Sequence, residues 1–143
     1  MADIHTPPPL AGILETALYV QRLDDARDFY TRVMGLSAIH EDERMTAYDV
    51  AAHSVLLLFQ EGGSLDAVEL PRGSIPPHDG RGPVHVAFAV QWAALPRWEA
   101  HLAQAGVAVE STAEWPRGGR SIYFRDPDGH LLELVTPGLW PGF

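Results

Sequence analysis

The chain contains no cysteine. Disulfides, thiolate metal ligands and cysteine nucleophiles are therefore excluded together. It is also short of positive charge: ten Lys and Arg stand against nineteen Asp and Glu, for a formal net charge of −9. A sequence-independent grip on nucleic acid needs a basic surface, and so does attraction to an anionic membrane, so neither partner is expected. A small anionic molecule stays possible, because a local pair of arginines can set the sign of one pocket. No apolar run approaches the length of a membrane span. Met1 to Pro9 is polar and Pro-rich, without the basic start and apolar stretch of a secretory signal. The expectation is a cytoplasmic protein.

What is present suits one domain. The chain has 143 residues, 46% of them hydrophobic, enough for a real core. A loose arm is expected over 1–12, a domain over 13–137 and a short tail over 138–143. Ile13 to Val20 is β-rich and reads as a strand. Leu23 to Met34 carries Leu23, Ala26, Phe29, Tyr30 and Val33 at helical spacing, with Gly35 where a helix-ending glycine belongs. Strands are expected over Ser37–His40, Met45–Val50 and Ser54–Gln60, then a Gly- and Pro-rich linker over 61–83. The same order then restarts. Val84–Val90 is a strand, and Leu95–Ala105 is a helix with Leu95, Trp98, Leu102 and Ala105 on one face. Val107–Ser111, Arg120–Arg125 and His130–Val135 are strands, the last two joined by a DPDG turn.

Each half thus reads β-α-β-β-β, module 1 over about 13–60 and module 2 over 84–137. Laid on one another, Glu15–Val20 falls on His85–Val90, Phe29 on Trp98, Gly35 on Gly106, and Ser54–Phe59 on His130–Val135. An internal repeat of this size implies two similar modules, paired within a chain or across two copies. The fold class is α+β.

The overlay makes Glu15 equivalent to His85, and Leu57 equivalent to Glu133. Strand alternation puts Glu15 on one face with Ala17 and Tyr19, and His85 on one face with Ala87 and Ala89. The bulky opposite faces should pack against the helices. The small-residue faces leave room for a ligand on a concave sheet. Two carboxylates and one imidazole there, Glu15, Glu133 and His85, suit a divalent ion such as Mn²⁺, Ni²⁺, Zn²⁺, Fe²⁺ or Mg²⁺. Three protein ligands leave positions open for substrate.

The segments LETALYV, DARDFYTRVMGL, GPVHVAFAV and RSIYFRDPDGHLLELVTP, within residues 13–137, carry a resemblance. They are similar to the vicinal-oxygen-chelate superfamily of glyoxalases, bleomycin-resistance proteins and extradiol dioxygenases. The resemblance implies paired β-α-β-β-β modules forming a metal cup, with Glu15, His85 and Glu133 at the metal positions. Glutamate at the first of these, where many branches carry histidine, is a departure. A second is Leu57, which stands where glyoxalase I enzymes carry a fourth, glutamate, ligand. SIYFRDPDGH resembles the fosfomycin thiol transferases and implies Ser121 and Tyr123 near the substrate. Glu133 and Tyr123 are the candidate catalytic residues.

Substrate contacts are expected from Tyr19, Ser121 and an anion clamp of Arg117 and Arg120, which flank Gly118 and Gly119. The clamp segment reads equally well as a solvated hairpin loop. His78 is a candidate lid residue or an exposed loop histidine. The expected activity is metal-dependent chemistry on a small oxygen-bearing molecule: lyase or isomerase, then thiol transfer, then extradiol cleavage. The rival is a metal-free protein that sequesters a drug or metabolite. A homodimer with shared sites is expected, since one module supplies only half a cup.

Overall fold

The computed structural model describes residues 6–143, so the first five residues of the expected arm lie outside the described residues. Module 1 runs β1 (Glu15–Val20), α1 (Leu23–Asp28), β2 (Ser37–Glu41), β3 (Met45–Asp49) and β4 (Val55–Gln60). Its sheet has the order β1-β4-β3-β2, with β1 parallel to β4 and the other pairs antiparallel. Module 2 runs β7 (His85–Ala89), α2 (Leu95–Gln104), β8 (Ser111–Glu114), β9 (Arg120–Arg125) and β10 (Leu131–Val135). Its order, β7-β10-β9-β8, repeats the first sheet strand for strand, including the one parallel pair. The linker is not wholly loop: β5 (Val68–Leu70) and β6 (Gly73–Ile75) form a small hairpin within it.

Two elements differ from the sequence reading. The first helix does not run straight to Met34. After α1 it widens into a π-helical turn over Phe29–Val33, closed by Met34 N–H donating to Phe29 O at 3.1 Å. The wider turn buries Phe29, Tyr30 and Val33 together. The strand expected over Val107–Ser111 begins only at Ser111. Its apolar alternation comes from a crossing segment, in which Val107 packs on the core before Glu110 N–H reaches Tyr123 O at 2.7 Å.

Both modules share one core. Leu18, Tyr30, Tyr48 and Leu58 from the first meet Leu95, Leu102, Phe124 and Leu132 from the second. Polar contacts fasten the junction. Tyr30 donates to the buried Asp126 at 2.7 Å, and Asp126 also accepts from the backbone N–H groups of Asp128 and His130. His130 is buried, accepts from Val84 N–H at its Nδ1 (3.1 Å) and so donates through Nε2 to Tyr19 O at 2.8 Å. Burial, opposed by these donors, raises the Asp126 carboxyl above the ordinary range. Among the described residues no helix is long and apolar enough to cross a membrane.

Candidate metal centre

The second module places two candidate ligands side by side. In β10, Glu133 lies opposite Ala87 of β7 and Tyr123 of β9, while Val135 lies opposite Ser121. With a side-chain period of two, His85, Glu133, Tyr123 and Ser121 therefore share a face. His85 Nε2 and Glu133 Oε1 are 3.2 Å apart. The other ring nitrogen, Nδ1, sits 2.9 Å from Leu131 O, a contact in which it donates, and this fixes the ring with Nε2 toward Glu133.

Glu133 is held just as firmly. Its side chain is buried, and its Oε2 accepts from Ser121 Oγ. Ser121 in turn accepts from Trp115 Nε1 at 2.7 Å. A carboxylate fixed in this way is oriented before a cation arrives. Burial first, then the Glu133 charge, raises the Tyr123 phenol above its ordinary range. Tyr123 therefore stays protonated at neutral pH and faces the site as a donor.

The first module presents the matching half. Ala17 pairs with Leu57 as Ala87 pairs with Glu133, so the equivalence of Leu57 and Glu133 holds in the backbone register itself. Glu15 lies in a cavity of about 480 Å³ with Tyr19, Leu57, Phe59, Arg44 and His78. That cavity does not include His85 or Glu133. Among the described residues no three His, Asp or Glu side chains converge as a metal set within one chain. The structure thus brings His85 and Glu133 together and holds Glu15 apart.

The other candidates are placed as follows. Ser121 and Tyr123 stand at the His85–Glu133 pair. Tyr19 lines the Glu15 cavity, its Oη 2.6 Å from His78 Nδ1. Arg117 is exposed at the turn before β9. Arg120 points to the helix side, where Nη1 meets Glu99 Oε1 of α2 at 3.1 Å, away from the face that carries Glu133. Two residues escaped the sequence reading. Trp115 orients Ser121 from within the WPRGGRS segment, and Arg44, just before β3, reaches the Glu15 cavity with no local motif to mark it.

A four-stranded sheet with one parallel edge pair, repeated in both modules, defines a class. Residues 12–134 match the model of the Glyoxalase/Bleomycin resistance protein/Dioxygenase superfamily, and the chain belongs to it. Among its relatives is the metallothiol transferase FosB of Bacillus licheniformis, 32% identical over 128 residues, covering 89% of this chain and 76% of that protein. The FosB of Shouchella clausii is 31% identical over 127 residues, 87% of this chain and 80% of its own. Among solved structures, the lactoylglutathione lyase from Agrobacterium tumefaciens superposes with a TM-score of 0.84 at 33% identity, covering 95% of this chain and 100% of that one. The fosfomycin resistance protein FosX from Mesorhizobium loti shares the fold, with a TM-score of 0.62 at 22% identity over 90% of this chain and 93% of its own.

Proposed function

We propose that this protein is a divalent-metal-dependent enzyme of the glyoxalase type that transfers a thiol to a small oxygen-bearing electrophile. Each site is assembled from two copies of the chain. The observation that carries this reading is the His85–Glu133 pair at 3.2 Å, oriented by Leu131 O, Ser121 and Trp115, with its third candidate ligand on the equivalent edge of the other module. The superfamily assignment and the metallothiol-transferase relatives support metal dependence.

A divalent ion held by Glu15, His85 and Glu133 would supply Lewis-acid chemistry at a substrate oxygen. The chain's own residues do the rest. His85 and Glu133 hold their ligand atoms in fixed positions. The protonated Tyr123 donates a hydrogen bond to oxygen that gains charge as the reaction proceeds. On an epoxide the thiol sulfur bonds to carbon, the carbon–oxygen bond breaks, and the freed oxygen takes up the proton the thiol gave up. The test is consumption of free thiol with an epoxide phosphonate as acceptor. It should stop on chelation and return with Mn²⁺. Tight acceptor binding with no turnover under any metal would favour the sequestering protein instead.

Lyase or isomerase chemistry of the lactoylglutathione kind is the second reading, favoured by the close superposition on that lyase. Leu57 weighs against it, because a leucine at the register position of Glu133 neither ligates nor carries a proton. Little or no conversion of the methylglyoxal–glutathione hemithioacetal is therefore expected, and Leu57→Glu should tighten metal binding. Efficient turnover of the hemithioacetal by the unmodified protein would reverse the preference between the two reactions.

A further inference from the structure

Arginines in this acidic chain are mostly neutralised. Arg22, Arg27, Arg32, Arg81, Arg120 and Arg125 each pair with a carboxylate. Of the others, Arg72, Arg97 and Arg117 are exposed, whereas Arg44 is half-buried. Among the described residues its guanidinium meets the Ser64 hydroxyl at 2.7 Å, the Met45 sulfur at 3.8 Å and the Phe59 ring at 5.4 Å, and no carboxylate. Its neighbours hold it in place without using its charge. A guanidinium has five N–H donors, so several remain for the cavity it lines with Glu15.

A strap of the linker closes over the same cavity. His78 N–H donates to Ser64 O at 2.9 Å, and its ring lies edge-on to Phe59 with centroids 4.5 Å apart. Of the carboxylates nearby, Glu61 pairs with Arg81 at 3.2 Å, Glu15 lines the same cavity, and Asp79 accepts from Gly62 N–H at 3.1 Å while its charge, after burial, raises the Tyr19 phenol. Gly80 lies so close that a Cβ there would come within 2.5 Å of the Tyr19 ring. Arg44, Tyr19 and His78 thus line one cavity, and among the described residues Arg44 is the arginine there whose guanidinium no carboxylate pairs.

We propose that Arg44, with Tyr19 and His78, forms a subsite for a carboxylate-class anion. It would hold one end of a molecule whose reacting atoms lie toward Glu15. The placement of those reacting atoms rests on the metal-site reading; the anion subsite itself does not.

The experiment is calorimetric titration with cysteinylglycine, its C-terminal amide and inorganic phosphate. It compares the unmodified protein with Arg44→Met and Gly80→Ala, each also titrated with Mn²⁺. The acid should bind the unmodified protein at least about tenfold more tightly than the amide, a single charge-assisted contact being enough for that ratio. Arg44→Met should erase the preference, Gly80→Ala should weaken binding of the acid by displacing the strap, and Mn²⁺ affinity should be unchanged in both. Equal binding of acid and amide, or an acid affinity indifferent to Arg44→Met, would overturn the subsite. Arg44-dependent binding of phosphate but not of the dipeptide would overturn the assignment to a carboxylate. Failure of the unmodified protein to bind Mn²⁺ would sink the metal reading separately, leaving the anion result to stand by itself.

Discussion

His85→Ala is expected to abolish binding of Mn²⁺, Ni²⁺ and Zn²⁺ while the protein stays folded. The ring contributes Nε2 to the pair with Glu133 and is held by a bond from Nδ1 to Leu131 O. Removing groups that only orient a ligand already costs about 10- to 100-fold in metal affinity, so removing the ligand itself should cost more than about 100-fold. The fold should survive because the His85 side chain is 48% exposed, on a strand that pairs on one side only. Calorimetry reads the affinity and circular dichroism the fold. Unchanged affinity for all three ions in a folded variant would show that the metal, if bound, is bound elsewhere.

A larger effect in the opposite direction is expected when two dead proteins are combined. Glu15→Ala and His85→Ala should each fail to bind metal. Unfolded and refolded together in equal amounts, they should recover about a quarter of the sites, because half the dimers are mixed and each mixed dimer has one intact site of two. The reason lies in the distribution of ligands. Glu15 lies in the module 1 cavity, His85 and Glu133 lie on module 2, and no third ligand joins them within one chain among the described residues. In a shared site the lesions of both mutants collect at one cup and leave the other whole. Absence of recovery, with subunit exchange shown by mass-tagged chains, would mean that a cup closes within a single chain.

Much of this architecture was legible in the order of residues, for a physical reason. Parallel pairing of the first and last strands of each module is forced by where the helix and the two hairpin strands fall. The repeat therefore aligns Leu57 with Glu133, and the register of β1 with β4 and β7 with β10 agrees. Alternation also separated the faces of β1 and β7 that carry Glu15 and His85 from the faces that pack on the core. Arg120 shows what reading it as a loop residue missed. It begins β9 next to Ser121, so a period of two sends the two side chains to opposite faces, and Arg120 goes to Glu99. Arg44 was not legible because its partner Ser64 lies across a turn whose course depends on the folded linker. Nor could the overlay say whether equivalent faces fold onto each other or onto another molecule. Equivalence in sequence carries no information about distance.

The two strands that carry Glu15 and His85 are the outer strands of their sheets, each hydrogen-bonded to one neighbour only. An outer strand with bare N–H and C=O groups is a template for indiscriminate pairing, and the small, exposed Ala17, Ala87 and Ala89 would let another chain approach closely. Ionisable side chains at such an edge are gatekeepers, since a stray strand would have to strip water from them without offering a partner. Glu15 and His85 thus guard newly made chains against aggregation before any ion is present. On the proposed reading, the same side chains that would hold a metal also penalise wrong neighbours, which would tie solubility of the free chain to the integrity of its chemistry.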